Sequence, residues 1–240
     1  MKVIVGSNEK ISELIAEEFI KQVNSKPNSV LGLATGTSPL DLYANLVKAN
    51  QEGRVSFKDV ATFNLDEYIG LEGTHNQSYR YFMNENLFNH IDINKNRTHV
   101  LKGVGDYLAY ANQYDAEIAK FGGIDLQILG IGSDGHIAFN EPGTSFDSLT
   151  HVAELAESTI VGNSRLFNDI SEVPTKAVTM GLKSIMNARK IVLIATGANK
   201  AKAIKDLLQG PKTEEVPCSI LQDHPDCTIY VDDDAYSLSR

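Results

Sequence analysis

Ile124-Asp125-Leu126-Gln127-Ile128-Leu129-Gly130-Ile131-Gly132-Ser133-Asp134-Gly135-His136-Ile137-Ala138-Phe139-Asn140-Glu141-Pro142 is the most informative stretch of the chain. Its apolar start reads as the end of a β-strand. Its continuation is a glycine-punctuated loop holding three ionisable side chains, Asp134, His136 and Glu141. In an open α/β sheet, ligands sit where the chain leaves the carboxyl end of a strand. A histidine set between two carboxylates there can be oriented and used to move protons near neutral pH. Gly130, Gly132 and Gly135 also match a dinucleotide fingerprint in form. That motif must open a long helix, and Pro142 comes too soon for one. The plain alternative is a helix cap by Asp134 with His136 satisfied in the core.

On either side of this stretch, apolar runs alternate with amphipathic segments. Strands are expected at Lys2 to Val5, Ser29 to Ala34, Val60 to Leu65, Thr98 to Leu101, Lys190 to Thr196 and Cys227 to Val231. Helices are expected around Ile11 to Val23, capped by Ser7 or Asn8, and around Leu42 to Val47. Further helices are expected over Ser78 to Asn89, Tyr107 to Phe121, and Asn199 to Gln209 ahead of Gly210. Such alternation predicts a doubly wound, Rossmann-like, mostly parallel α/β sheet with helices on both faces. No repeat or linker divides the chain, so residues 1–240 read as one domain. The polar stretch 143–173 is either a mobile flap over a site or a long surface excursion.

Three other segments could carry chemistry. Leu33-Ala34-Thr35-Gly36-Thr37-Ser38-Pro39 runs from a strand into a small-residue turn, with Pro39 suited to the first helical position and Ser38 to the cap. Thr35, Gly36, Thr37 and Ser38 could bind an anion through free N–H groups and hydroxyls, or simply make a turn. Lys is missing where a P-loop needs it. In Phe63-Asn64-Leu65-Asp66-Glu67-Tyr68 two carboxylates follow a strand, and alternation would point them opposite ways, so at most one faces a ligand. The alternative is a solvated acidic turn. In Gly197-Ala198-Asn199-Lys200 a cation in a first helical turn opposes the helix dipole, which makes sense beside a bound anion. Arg165, in Asn163-Ser164-Arg165, could reach the same anion.

The 240 residues include 22 Lys and Arg against 31 Asp and Glu, for a net charge of −9. With no basic cluster, nucleic acid and anionic membranes are excluded as expected partners. The two cysteines make no disulfide framework, and no apolar run reaches membrane-span length, so a cytoplasmic protein with reduced thiols is expected. No C-x-x-C, H-E-x-x-H or EF-hand spacing predicts a metal, and no G-x-S-x-G elbow is present.

Together, and in this order, these segments resemble the glucosamine-6-phosphate deaminase family across nearly the whole chain. Gly135-His136-Ile137-Ala138-Phe139-Asn140-Glu141-Pro142 is the most specific part. The resemblance implies conversion of D-glucosamine 6-phosphate and water to D-fructose 6-phosphate and ammonium. It implies that His136 opens the sugar ring, that Asp134 and Glu141 hold and polarise it, and that Asp66 moves a proton from C2 to C1. It implies that Thr35, Gly36, Thr37, Ser38, Arg165 and Lys200 hold the 6-phosphate, with no cofactor and no metal. Longer hexameric members are activated by an N-acetylated sugar phosphate bound partly by basic residues after the Asn-Glu-Pro segment. Here Thr144 to Ala153 contains no Lys or Arg, and the chain stops soon after Asp234. The resemblance therefore points to a short, non-allosteric form, a monomer rather than a homo-oligomer.

Two rival readings use the same features. A 6-phosphogluconolactonase would keep the phosphate grip and His136 without needing a C–H base at Asp66. A sugar-phosphate sensor domain would bind without turnover, but it would need a DNA-reading segment that this acidic chain lacks.

Overall fold

The structure is a computed structural model describing residues 1–240. The chain order is β1 (Lys2–Val5), α1 (Asn8–Ser25), β2 (Val30–Leu33), α2 (Leu40–Gln51), β3 (Ala61–Asn64), β4 (Asp66–Tyr68) and α3 (Tyr79–Met83). It continues with β5 (Thr98–His99), α4 (Tyr107–Lys120), β6 (Leu126–Leu129), β7 (His151–Glu154), α5 (Glu157–Asn163) and β8 (Lys176–Thr179). The last elements are α6 (Leu182–Met186), β9 (Lys190–Ala195), α7 (Ala201–Gln209) and β10 (Cys227–Val231).

Seven strands form an all-parallel sheet in the order β1-β10-β9-β6-β2-β3-β5, flanked by helices. The expected fold class is the one observed. β2, β6 and β10 are buried at every position and β9 at every position after Lys190, as expected of strands covered on both faces. From β2 the chain builds outward to β3 and β5. From β6 it builds the other way to β9 and β10. The winding therefore reverses between β2 and β6, and a ligand crevice belongs at the carboxyl ends of these two strands. Asp125 fixes the opposite ends of that pair. Its buried carboxylate accepts the Val30 amide at 2.8 Å and is also held by Lys26 and Arg189.

The helices follow their sequence signals. α1 buries Ile11, Ile15, Phe19 and Val23 at helical spacing, and the Ser7 hydroxyl accepts from the Lys10 amide. The hydroxyl of Tyr114 on α4 donates to the carbonyls of Asn64 at 2.8 Å and His99 at 3.2 Å. That clamp holds the end of β3 immediately before Asp66.

Several expectations need correction. Pro39 is the cap of α2 rather than its first helical residue, and it offers no capping side chain. The helix expected from Ser78 to Asn89 starts with Ser78 as cap but passes after Met83 into a π-helical turn, Asn84–Phe88. The strand at Thr98 ends at His99, and α7 is preceded by a 3-10 turn, Ala198–Lys200. The largest omission is a second, antiparallel sheet in the order β4-β8-β7. Its strands are three or four residues long, too short for periodicity to distinguish them from loop. Both Asp66 and Glu67 lie in it and are buried, so the solvated-turn alternative does not hold. Cys218 and Cys227 are both free thiols and buried.

Candidate active site

A cavity of about 430 Å³ opens at the carboxyl ends of β2 and β6. Thr35, Gly36, Thr37 and Ser38 line it from the turn after β2, and Asp66 lines it from β4. Asp134 and His136 line it from the loop after β6, Arg165 from the segment after α5, and Lys200 from the turn before α7. Nine of the ten sequence-nominated residues thus share one cavity. The tenth, Glu141, stands behind His136. A groove of about 380 Å³ between α1 and α2 is instead lined by surface ion-pair residues such as Lys10, Glu13, Glu17 and Arg54, and contains no histidine.

The imidazole is set by its loop. His136 Nδ1 lies 2.7 Å from Asp134 Oδ1 and 3.5 Å from Glu141 Oε2. The His136 amide also donates to Asp134 Oδ1, at 3.1 Å. The ring lies flat against Gly132, where an added Cβ would fall 2.2 Å from Cε1, so that position admits only glycine. Interaction with His136 lowers Asp134 to about 2, against the opposing effect of burial. The donor atoms of Asp134, His136 and Glu141 lie within 4.8 Å of one another, close enough for a divalent ion to bridge. A carboxylate–imidazole–carboxylate set equally suits a proton relay.

Asp66 and Glu67 diverge as strand alternation requires. Asp66 faces the cavity, whereas Glu67 accepts the amides of Tyr68, Tyr79 and Arg80 at 2.9, 2.9 and 3.0 Å. Burial, and secondarily the neighbouring Glu67, push Asp66 up to about 8. A carboxyl so shifted is a far stronger base than one in water.

The second sheet joins this carboxylate to the imidazole. Asp66 on β4 pairs with Thr179 on β8. Thr179 Oγ1 accepts the Phe139 amide at 3.1 Å, and Asn140 Nδ2 donates to the carbonyls of Met180 at 2.8 Å and Ile137 at 2.9 Å. Asn140 thus ties the loop of His136 to the strand that aligns Asp66.

At the other side of the cavity, Gly36 adopts φ +91°, a left-handed conformation that a side chain would strain. Its turn presents the hydroxyls of Thr35, Thr37 and Ser38 to the same space. Burial lowers Lys200 below the usual lysine value, and Asp134 partly offsets this. Asp232, at the end of β10, holds the Gly197 amide through both carboxylate oxygens at 3.0 and 2.9 Å, fixing the turn that carries Lys200.

Residues 143–173 carry β7 and α5, and α5 forms one wall of the cavity. Sequence reading missed Tyr79 and Thr159. Tyr79 carries no motif signal, and Thr159 sits in a polar, weakly periodic run. Yet Thr159 donates its hydroxyl to Glu141 Oε1 at 2.7 Å, and Asn163 donates to the Tyr68 hydroxyl at 2.8 Å.

A turn of small and hydroxyl-bearing residues and a lysine on one side, with a carboxylate and a carboxylate-flanked imidazole on the other, line one cavity of a doubly wound α/β enzyme. The family of glucosamine-6-phosphate isomerases and 6-phosphogluconolactonases matches residues 7–230, and the chain belongs to it. It is 53% identical over 240 residues to glucosamine-6-phosphate deaminase of Thermoanaerobacter pseudethanolicus, covering 99% of this chain and 95% of that protein. It is 48% identical over 242 residues to the Clostridium perfringens deaminase, covering all of both. A solved structure of a monomeric glucosamine-6-phosphate deaminase is similar at TM-score 0.97 and 41% identity, covering 99% of this chain and 100% of that one. The 6-phosphogluconolactonase of Trypanosoma brucei, at 17% identity and TM-score 0.77 over 98% and 97% of the two chains, shares the fold.

Proposed function

We propose that this enzyme converts D-glucosamine 6-phosphate and water to D-fructose 6-phosphate and ammonium. Full-length relatives at about half identity carry the deaminase name, whereas the lactonase likeness is one of fold. The observation that carries the reading is the placing of Asp66 and His136 on one cavity with an anion-binding turn. A lactonase has no C–H bond to break and no use for a buried base at Asp66.

In the proposed sequence, the 6-phosphate is held by Thr35 to Ser38, Arg165 and Lys200. Binding remote from the chemistry orients the reacting carbons. His136 takes the proton of the anomeric hydroxyl and returns one to the ring oxygen, opening the pyranose, while Asp134 and Glu141 fix its ring. The aldehyde acidifies the C2 proton, which Asp66 removes to form the enolamine. Protonation of C1 by Asp66 leaves an imine at C2, and water releases ammonium from it. The substrate's own carbonyl activates its C–H bond, so the scheme calls on no cofactor.

The same reading takes residues 1–240 as one domain with 143–173 as a flap that closes on substrate. It takes the enzyme as a cytoplasmic monomer serving amino-sugar breakdown. The monomeric relative supports the oligomeric state. No helix is long and apolar enough to cross a membrane. With no Lys or Arg from Thr144 to Ala153, a hyperbolic rate curve indifferent to N-acetylglucosamine 6-phosphate is expected. The deciding experiment incubates the protein with glucosamine 6-phosphate and measures ammonium and fructose 6-phosphate. Formation of both supports the reading. Binding without ammonium release refutes it in favour of a sensor, and hydrolysis of 6-phosphogluconolactone alone refutes it in favour of a lactonase.

A further inference from the structure

Asp232 does not line the cavity, and the proposed reaction gives it no role. It follows β10 directly, and Val231 pairs with Ala195 at the end of β9, so its side chain reaches the turn that leaves β9. Its Oδ1 accepts the Ala235 amide at 2.8 Å, an ordinary cap for the C-terminal turn. That cap does not account for Oδ2, whose single partner is the Gly197 amide at 2.9 Å; Oδ1 shares the same N–H at 3.0 Å. Gly197 adopts φ +90°, and its carbonyl accepts the Lys200 amide at 3.0 Å. One glycine therefore joins Asp232 on its N–H side to Lys200 on its carbonyl side. The backbone of 196–200 receives no other side-chain hydrogen bond. This turn brings Asn199 and Lys200 to the cavity. The support beneath it is firm, since β10 is buried throughout and Ala235 is fully buried.

We propose that Asp232 is a positioning residue for substrate binding: by clamping the Gly197 amide it holds the 198–200 turn in the arrangement that presents Lys200 to the anion side of the cavity. This inference rests on Lys200 holding the substrate's phosphate. A lysine is a point charge on a flexible stem, so its grip on an anion depends on where its backbone is fixed. Fixing the turn in the folded chain moves an ordering cost out of the binding step. Asp66 and His136 stand on β4 and on the loop after β6, and Asp232 hydrogen-bonds to neither element. The effect therefore falls on affinity rather than on the proton transfers.

The test is the dissociation constant of inorganic phosphate by titration calorimetry, with kcat and KM for glucosamine 6-phosphate, in the parent, Asp232→Ala, Asp232→Asn, Lys200→Ala and the variant carrying both alanines. Asp232→Ala is expected to weaken phosphate binding and raise KM about threefold to tenfold, with kcat changed less than about twofold. Asp232→Asn keeps one acceptor and is expected to fall between Asp232→Ala and the parent. The double variant is expected to lose no more than Lys200→Ala alone, because a clamp that acts through Lys200 then has nothing to position. Losses that multiply in the double variant overturn the proposal. So does a lowered Tm in Asp232→Ala with parent-like KM and phosphate affinity, which leaves Lys200 as the phosphate ligand. Unchanged phosphate affinity in Lys200→Ala overturns the phosphate reading of Lys200 itself, and this inference with it. Should Asp232→Ala not fold, amide hydrogen exchange of the parent decides. A clamp that favours phosphate must be tightened by phosphate in return. Slower exchange at Gly197 and Lys200 in saturating inorganic phosphate supports the proposal, and unchanged exchange overturns it.

Discussion

The hydroxyl of Thr159 donates to Glu141 Oε1 at 2.7 Å, while Glu141 Oε2 lies 3.5 Å from the imidazole of His136. One carboxylate thus meets both the imidazole of the loop after β6 and the helix that walls the cavity. A hydrogen bond to a charged group contributes about 1.5–3 kcal/mol. Thr159→Val keeps the shape and removes the donor. It is expected to lower kcat/KM about tenfold or more and to speed proteolysis within 156–167, with Thr159→Ser retaining parent behaviour. Steady-state kinetics and limited proteolysis check this.

Asn140 joins the imidazole loop to β8 with a fully buried side chain. Asn140→Ala strips the side-chain donor from the carbonyls of Ile137, which keeps the amide of residue 140 at 3.2 Å, and of Met180, which keeps only the Thr179 hydroxyl at 3.4 Å, a combined cost of about 1–3 kcal/mol. Chemical denaturation is expected to show a loss of that order. Activity at temperatures where the variant remains folded is expected to fall further, because Asp66 and His136 lose their common register. Parent-like activity in a folded variant would contradict the bridge.

The titration of Asp66 has two consequences of opposite sign. In its proposed role as the C2 base Asp66 must be ionised to act, so kcat/KM of the free enzyme is expected to fall as pH drops through its raised pKa of about 8. Stability runs the other way. Between the unfolded value of about 3.9 and the folded value, the native chain holds a proton that the unfolded chain has lost, so rising pH destabilises it. Asp66→Asn is expected to flatten that slope in Tm against pH. Asp134, lowered to about 2, contributes stability above its unfolded value that is lost as pH falls through its folded one.

Lys200 is partly buried at the anion side of the cavity, where its charge is disfavoured until an anion arrives. Lys200→Ala is expected to raise KM about tenfold or more, equivalent to about 1.4 kcal/mol, with a smaller change in kcat. Competitive inhibition by inorganic phosphate is expected to weaken in parallel. An unchanged KM and phosphate inhibition would remove Lys200 from the anion site.

The parallel sheet was legible in the sequence because its strands are continuous apolar runs separated by helices with a buried stripe, as in β9 and α1. The acid–imidazole loop was legible because Asp134, His136 and Glu141 fall within eight consecutive residues. Local sequence also fixed that Asp66 and Glu67 would face opposite ways, since alternation is a property of the backbone. Which of the two meets the cavity was decided by tertiary structure alone, through pairing of β4 with β8 and the amides of α3 that turn Glu67 inward. The links from Asp66 to His136 and from Glu141 to Thr159 likewise came only with the fold. They join residues 18 to 113 positions apart through single hydrogen bonds and strands of three or four residues, which leave no periodic trace in the chain.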